Sequence, residues 1–581
     1  MRGLFSNGMR PRAVALAMVL AVWFVAAFGR LVHLQILNHG RLKAEVLGQS
    51  QTDLEVLPKR GTIFDRNGKI LARSLPAQSV FFSPLRSESA TGQMEQVIRL
   101  NDLLRLTEKE LSRIRTRLQK KDSFIWIKRK IDPEAAGKVM SLNIKGIFLQ
   151  EENKRSYPLG TLAAHVLGGV GIDDNGLAGV ELQYNPLLEG EKGRRLILRD
   201  ARRRSYQFEI LKEALPGKDL YLTIDETIQY IAESELEKAI ATSGADWGTV
   251  VIADPKTGEV LAIANRPVYD PNDYPPALPG EGVNRAIQHT FEPGSTFKII
   301  TAAAARELGK VGLGETYDCR EGSISVGGNL VRDHKRLGIL SFPAVFIESS
   351  NVGAIMIAQE IGERNLYQMI KAFRFGERTG IDLPGEEYGI CRPLSSWRKS
   401  SLRTAIGYEI SVTAVQVLRA MNVFATRGRL VRPSVSLGTG VRGLSGAGNQ
   451  EPLKVISEET ASELAEIFKR VVEEGTGLPA KLEGFDIAGK TGTAQKFDEE
   501  LGRYSSAKHL ASFVGFVPAD DPAICMIVVL DEPKGLMQYG GQVAAPAFRD
   551  ISARVLRYLR AAPKPKAETL VTAKMAKASR P

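Results

Sequence analysis

Residues 292–301 read EPGSTFKIIT, and the segment Ser295-Thr296-Phe297-Lys298 within them is the most informative part of the sequence. Good helix formers follow from Ile299 to Leu308, so Ser295 is predicted to lie at the start of a helix. A three-residue step places Ser295 and Lys298 on one helix face, close enough for the amine to take the hydroxyl proton. A lysine can be that base where burial or nearby positive charge lowers its pKa.

Two further short motifs follow along the chain. Ser349-Ser350-Asn351 precedes another helical run, where Ser349 could relay a proton and the Asn351 amide could hold a peptide group. Lys490-Thr491-Gly492-Thr493 lies in a strand-like segment, and its glycine would let another backbone approach the strand edge. Each motif alone has a structural alternative, namely a capping serine with a solvated lysine, a helix cap, or a polar edge strand.

The combination of the three motifs is more informative than any one of them. About two Ser-x-x-Lys matches are expected by chance in a chain of this length, whereas Lys-Thr-Gly is expected on the order of 0.1 times. In their order, spacing and settings the motifs resemble those of the penicilloyl-serine transferase family. The resemblance implies an α+β fold, like that of serine β-lactamases and DD-peptidases, with a five-stranded antiparallel sheet covered by helices.

The resemblance also implies a role for each motif residue. The catalytic side chains would be Ser295 as nucleophile, Lys298 as its base and Ser349 as proton relay. The substrate-binding residues would be Asn351, Lys490, Thr491, Gly492 and Thr493. The oxyanion hole would consist of the backbone N–H groups of Ser295 and Thr493. No metal or organic cofactor is implied.

The segment Arg60 to Gly68, RGTIFDRNG, resembles a signature of class B penicillin-binding proteins. Gly179-Val180-Glu181, with Tyr184-Asn185 and residues 187–193, resembles a later motif of the same class. A bifunctional class A enzyme would need a glycosyltransferase domain, for which the sequence before Ser295 offers no candidate. The implied partners are therefore a SEDS-type (FtsW-like) glycan polymerase and other membrane proteins of the division complex.

The implied activity is peptidoglycan D,D-transpeptidation through a serine acyl-enzyme during septal wall synthesis. The donor would be a stem peptide ending in D-Ala-D-Ala, and β-lactam antibiotics would bind in its place. Gly475-Thr476-Gly477 before Lys490 favours the division-specific or sporulation branch. The alternatives are the elongation-specific branch, a D,D-carboxypeptidase or β-lactamase, and a β-lactam-binding sensor on the same fold.

The N-terminus indicates the compartment. An apolar stretch at residues 13–37 is long enough for a transmembrane helix, and Arg2, Arg10 and Arg12 precede it. Because basic residues stay on the cytoplasmic side, residues 1–12 are predicted to be cytoplasmic and the rest periplasmic or extracellular. A cleaved signal peptide is the alternative, but bulky Phe28 and the absence of a clear cleavage site favour a retained anchor.

The remaining chain is predicted to form an α+β pedestal at residues 38–216, a transpeptidase domain at 217–560 and a disordered basic tail at 561–581. The net charge is +12, but no nucleic-acid-binding signature accompanies it, so a membrane or anionic envelope is the expected surface. The three cysteines form neither a disulfide framework nor a metal cluster, and Cys525 is expected to be a buried thiol.

Several elements can be placed from pattern alone. A hairpin is predicted around Asn67-Gly68, for which a purely structural role is favoured. Gly407 to Thr413 resembles a block beside the site, in which Glu409 is interpreted as half of a structural salt bridge. The predicted strands of the main sheet are 248–253, 259–265, 485–495, 509–517 and 524–530. The predicted helices beside it are 226–240 and 543–560.

Overall fold

The computed structural model describes residues 9–41, 51–84, 89–122, 124–199, 205–397, 399–438, 451–498, 502–535 and 537–563. The chain divides into two compact units, which are Met1–Lys59 with Gly190–Gly217, and Arg60–Glu189 with Lys218–Pro581. The predicted pedestal segment contributes residues to both units. Most of the predicted basic tail, 564–581, and residues 1–8 of the predicted cytoplasmic segment lie outside the described residues.

The smaller unit contains the N-terminal helix Met9–Val32, which continues as a π-helical turn at His33–Leu37. Its apolar segment Arg12–Leu37 is 26 residues long, enough to cross a membrane. Large apolar side chains such as Val22 and Phe28 are exposed along it, a surface that water does not favour. The unit also has an antiparallel sheet of three strands, in the order Gln51–Val56, Gly193–Arg199 and Ser205–Lys212.

The larger unit is built around a five-stranded antiparallel sheet. In spatial order its strands are Val260–Arg266, Trp247–Ala253, Ile524–Asp531, Arg503–Val517 and Ala488–Asp498. The first two and last three strands come from opposite ends of the predicted transpeptidase domain, 217–560, as the sequence predicts. The arrangement confirms the α+β fold expected from the motifs.

Both faces of this sheet are covered. On one face Val250 and Phe513 pack with residues of the helices Glu226–Ser243 and Gly540–Tyr558. On the other face Val251 and Val514 join a larger core with several helices. Because both faces are covered, every residue of the central strand Ile524–Asp531 is buried, including Cys525 as predicted.

The helices of the larger core come from the middle of the sequence. They are Lys298–Glu307, Phe342–Ile347, Asn351–Ile361, Glu363–Ala372, Ala414–Ala425 and Glu458–Glu473. The short strands around them are Thr316–Asp318, Ser323–Val326, Asn329–Arg332, Ile339–Ser341, Arg429–Leu430 and Leu453–Lys454. Short helices lie at Pro271–Asp273, Arg285–Gln288, Gly294–Phe297, Leu394–Ser396, Lys399–Ile406 and Leu478–Ala480.

A second sheet of the larger unit includes the predicted hairpin. Its strands are Ser436–Gly438, Leu220–Leu222, Ile63–Phe64, Ile70–Phe82 and Ile125–Ile131, with Ile147–Ser156 also paired to the long strand. Gly68, at φ +83°, makes the turn between Ile63–Phe64 and Ile70–Phe82. The helices of this part are Ala90–Ile98, Asn101–Leu104, Glu108–Gln119, Pro133–Ser141, Ala164–Leu167, Gly179–Gln183 and Asn185–Leu188.

The Arg60 and Gly179-Val180-Glu181 motifs meet in a buried ion cluster. Arg60 Nε and Arg155 Nε each donate to the carboxylate of Glu181 at 2.6 Å, and all three side chains are almost fully buried. The Tyr157 hydroxyl donates to the same carboxylate at 3.2 Å. The two motifs therefore have a structural role here, because each supplies a partner for a charge that could not be buried alone.

Candidate active site

The Ser295 segment is held by two glycines. Gly294 starts the short helix that runs into Lys298–Glu307, and it has a left-handed backbone, with φ +54°. A Cβ on Gly294 would lie 2.7 Å from the carbonyl oxygen of Thr493, and a Cβ on Gly407 would lie 2.2 Å from that of Gly294. Three separate segments can therefore approach one another beside Ser295 only because neither position carries a side chain.

Lys298, three residues after Ser295, is completely buried. Its Nζ donates to the carbonyl oxygen of Ser349 at 2.5 Å and to Asn351 Oδ1 at 2.8 Å, and it lies 3.4 Å from Ser349 Oγ. Burial lowers the pKa of Lys298 to about 7, against the opposing effect of the Asp333 carboxylate. A substantial fraction of this amine is uncharged at neutral pH, as a general base requires.

Ser349 lies between two lysines. Its backbone is left-handed, with φ +58°, which is uncommon for a residue other than glycine. Its Oγ accepts from Lys490 Nζ at 2.8 Å. The next residue, Ser350, caps the helix Asn351–Ile361 by accepting from the Gly353 N–H at 2.9 Å, so the turn is anchored to a helix start.

Lys490 is also fully buried, on the strand Ala488–Asp498. Burial, together with the charge of Lys298, lowers the pKa of Lys490 well below its ordinary value. Two ammonium groups beside the half-buried Ser349 hydroxyl repel each other, which disfavours the charged form of Lys490.

The strand Ala488–Asp498 is the edge of the main sheet, and Gly492 lies against the Ser295 segment. A Cβ on Gly492 would lie 2.7 Å from Thr296 Cγ2 and 3.1 Å from the carbonyl oxygen of Pro293. The close approach predicted for this glycine is therefore present.

The two threonines of this strand already have hydrogen-bond partners. Thr491 Oγ1 and Thr476 Oγ1 share a hydrogen bond of 2.8 Å, and the Gly540 N–H donates to Thr493 Oγ1 at 3.0 Å. The sequence indicates Thr476 only as a marker of the branch and does not predict the contact of Gly540. The backbone of the closing helix gives no sequence signal for such a contact.

A polar and aromatic cluster lies beside the Ser295 segment. One carboxylate oxygen of Glu292 accepts from the Glu409 N–H at 2.8 Å and from the Tyr504 hydroxyl at 3.0 Å. The Arg403 guanidinium lies 5.1 and 5.4 Å from the ring centres of Tyr408 and Tyr504. Burial raises the pKa of Glu292.

The salt bridge expected for Glu409 is present, to Arg403 at 3.9 Å. The Glu409 backbone N–H makes a shorter contact than this salt bridge, because it donates to the Glu292 carboxylate at 2.8 Å. Arg403 and Tyr504 were missed by sequence reasoning because neither belongs to a recognisable motif.

The structure thus brings the predicted Ser295, Lys298, Ser349, Asn351 and the Lys490–Thr493 strand to one place. The chain matches the family model of the penicillin binding protein transpeptidase domain over residues 248–553 and that of the penicillin-binding protein dimerisation domain over residues 55–222.

Among curated proteins, stage V sporulation protein D of Bacillus subtilis is 35% identical over 94% of this chain and 85% of its own length. The probable peptidoglycan D,D-transpeptidase PenA of Neisseria gonorrhoeae is 34% identical over 96% of this chain and 94% of its own. Penicillin-binding protein 3 of Mycobacterium tuberculosis, solved in complex with aztreonam, superimposes with a TM-score of 0.68 at 28% identity. That match covers 88% of this chain and 98% of the other.

The fold is therefore that of the penicillin-binding serine transferases. The chain belongs to the class B penicillin-binding proteins, and it is a serine-type peptidoglycan D,D-transpeptidase. Its N-terminal apolar helix is suited to membrane anchoring.

Proposed function

We propose that Ser295 is the nucleophile of this transpeptidase and that Lys298 is its general base. Lys298 takes the hydroxyl proton as Ser295 Oγ attacks the carbonyl carbon of the penultimate D-alanine. The peptide bond to the terminal D-alanine breaks, its nitrogen takes a proton, and the donor peptide remains as an ester on Ser295. The observation that carries this proposal is the buried amine of Lys298, whose pKa is lowered to about 7.

Ser349 relays the proton to the leaving amine. Its hydroxyl lies 3.4 Å from Lys298 Nζ and 2.8 Å from Lys490 Nζ, so it can accept from one lysine while it donates elsewhere. In the second half of the reaction an acceptor amine attacks the ester carbonyl. The acceptor nitrogen loses a proton, Ser295 regains one, and a new peptide bond cross-links two stem peptides.

Asn351 holds the donor peptide, and Lys490 with the hydroxyls of Thr491 and Thr493 binds its terminal carboxylate. The backbone N–H groups of Ser295 and Thr493 stabilise the oxyanion. In this proposal the carboxylate replaces part of the present hydrogen bonding of the threonines to Thr476 and Gly540. β-Lactams acylate Ser295 because their carbonyl and carboxylate are placed like those of D-Ala-D-Ala.

Covalent labelling with fluorescent penicillin tests this assignment. Ser295→Ala is expected to abolish labelling, because no hydroxyl remains to form the ester. Ser395→Ala, at an exposed serine of the same unit, is the matched control and should label normally. A stoichiometric covalent adduct on the Ser295→Ala protein would refute the proposal.

We also propose that the enzyme acts in septal wall synthesis, with residues 13–37 in the membrane and both the pedestal (38–216) and the transpeptidase domain (217–560) outside the cytoplasm. The sequence context around Thr476 supports the division or sporulation branch, and Thr476 contacts Thr491 of the candidate site directly. A SEDS-type (FtsW-like) polymerase supplies the glycan strands, because two proteins held in one membrane meet at a high effective concentration.

Depletion of the protein from a rod-shaped host tests the septal role. Filaments are expected if septal cross-linking is lost. Round cells with normal septa would favour the elongation-specific branch, and a defect confined to spores would favour the sporulation branch. Exchange of residues 13–37 for an unrelated spanning helix should preserve penicillin labelling while it impairs localisation at the septum.

A further inference from the structure

Asp333 follows the strand Asn329–Arg332 and binds the turn that contains Ser349 and Asn351. Asp333 Oδ1 accepts from the N–H groups of Asn351 at 2.5 Å and of Val352 at 3.1 Å. Its Oδ2 accepts from the Ser350 hydroxyl at 2.8 Å. One carboxylate therefore receives three hydrogen bonds from the three successive residues that follow Ser349.

The loop that carries Asp333 is itself fixed. The Asp333 N–H donates to the carbonyl oxygen of Gly322 at 3.0 Å, and the Arg332 carbonyl oxygen accepts from Asn351 Nδ2 at 2.8 Å. The Asn351 side chain is thus held between Arg332 and Lys298, since its Oδ1 accepts from Lys298 Nζ. The orientation of this amide depends on the loop as well as on the helix.

Ser349 needs such support because its left-handed backbone, at φ +58°, is strained. A residue in that conformation persists only where its surroundings fix it. The carbonyl oxygen of Ser349 is the closest partner of Lys298 Nζ, and its hydroxyl is the partner of Lys490 Nζ. A relaxation of the turn would move both groups away from the lysines.

The Asp333 carboxylate also lies close to the start of a helix. The carboxylate lies at the N-terminus of the helix Asn351–Ile361, where free N–H groups and the helix dipole favour a negative charge. Ser350 Oγ already accepts from the Gly353 N–H, so its proton is directed to Asp333.

We propose that Asp333 is a positioning residue of the transpeptidase, which fixes the Ser349–Asn351 turn on Lys298 and sets the charge balance around that amine. This inference rests on the proposed roles of Lys298 and Ser349. Asp333 does not contact the reacting atoms and acts through the turn and through its charge.

Removal of the Asp333 charge should change the pH dependence of acylation, which the loss of a purely structural residue would not do. Lys298 interacts electrostatically with Asp333, Lys490 and His334. The Asp333 carboxylate favours the ammonium form of Lys298. Loss of that negative charge lowers the pKa of Lys298 further, so more free amine is present in mild acid.

The test is the second-order rate constant of penicillin acylation between pH 5 and 9 for the full chain. Asp333→Asn should lower the maximal rate about tenfold to a hundredfold, since its NH₂ group faces N–H donors and the turn is misplaced. It should also move the acidic limb of the profile to lower pH by roughly half a unit or more. Asp333→Glu keeps the charge, so it should lose rate but keep the limb near that of the wild type.

Two further variants distinguish the effect of the turn's position, which lowers the rate, from the effect of charge, which moves the acidic limb. Ser350→Ala removes one hydrogen bond to Asp333 but no charge, and should lower the rate without moving the limb. His334→Gln removes a titratable neighbour whose pKa the charge of Lys298 lowers, and should leave the limb in place.

Asp318→Asn is the matched control, because Asp318 is an exposed carboxylate that pairs with Arg320 at 2.6 Å. It should change neither the rate nor the limb. A rate loss in Asp333→Asn without a shift of the limb would show that Asp333 is a purely structural residue, and would overturn the proposal. A wild-type rate with a wild-type limb in Asp333→Asn would also overturn it. If Asp333→Asn does not fold, as judged by circular dichroism, Asp333→Glu and Ser350→Ala decide the question, since wild-type rates in both would refute it.

The failure of this inference and that of the proposed function are distinguishable. Persistent labelling of Ser295→Ala would refute the proposed function whatever Asp333→Asn does. An unlabelled Ser295→Ala together with an unaltered Asp333→Asn would refute the role of Asp333 alone.

Discussion

Lys490 Nζ lies 2.8 Å from Ser349 Oγ, although the two residues are 141 positions apart in the sequence. Lys298 Nζ lies 3.4 Å from the same hydroxyl. Both lysines are completely buried, and the charge of Lys298 disfavours the charge of Lys490. The site can therefore hold an uncharged amine near neutral pH, because burial lowers the pKa of Lys298 to about 7.

The first prediction concerns the pH dependence of acylation in the wild-type protein. The base acts as the free amine, so the rate should rise with pH through an apparent pKa near 7, the value to which burial lowers the pKa of Lys298. The measurement is the rate of fluorescent penicillin labelling from pH 5 to 9. Lys298→Ala should lower the rate by about a hundredfold or more and remove this limb. A flat wild-type profile would assign the base elsewhere.

The second prediction concerns the contact of Gly407 with Gly294. Gly407→Ala should impair labelling at least tenfold, because its Cβ would lie 2.2 Å from the Gly294 carbonyl oxygen and displace the Ser295 segment. Gly309→Ala is the matched control, since Gly309 also has a positive φ, +58°, but its Cβ would meet nothing within 4 Å. Both variants carry backbone strain, so equal labelling of the two would show that the steric contact is unimportant.

The third prediction concerns the buried ion cluster. Glu181→Gln leaves Arg60 and Arg155 without a compensating charge, and should lower the free energy of unfolding by about 3–5 kcal/mol. Urea unfolding followed by tryptophan fluorescence measures this loss. Glu134→Gln removes an exposed partner of Lys138 and should leave the unfolding midpoint unchanged. Equal midpoints for the two variants would contradict the assigned structural role.

The fourth prediction concerns membrane topology. A phosphatase that is active only outside the cytoplasm should be active when fused after Gly217, because the basic residues before the apolar helix stay inside. The same enzyme fused after Arg12 is the control and should be inactive. Activity at Arg12 and none at Gly217 would reverse the orientation and remove access to peptidoglycan.

Much of the fold was predictable, because local pattern governs it. The predicted strands 248–253 and 524–530 are observed as Trp247–Ala253 and Ile524–Asp531, since apolar runs beside turn residues are typical of buried strands. The edge strand, predicted at 485–495, is observed at Ala488–Asp498. Its far end is extended by pairing with Arg503 and Tyr504, which depends on a partner strand and not on its own residues.

The sequence by itself determined the family, the order of the motifs, the apolar helix and the residue types that can carry the chemistry. Only the tertiary structure decided that Ser349 lies between Lys298 and Lys490, and that Asp333 binds the turn between them. The physical reason is that helix starts and strand edges follow from short-range patterns, whereas burial and the distance between charges depend on segments far apart in the chain. The pKa of Lys298 is set by that burial and those distances, so no local pattern could have given it.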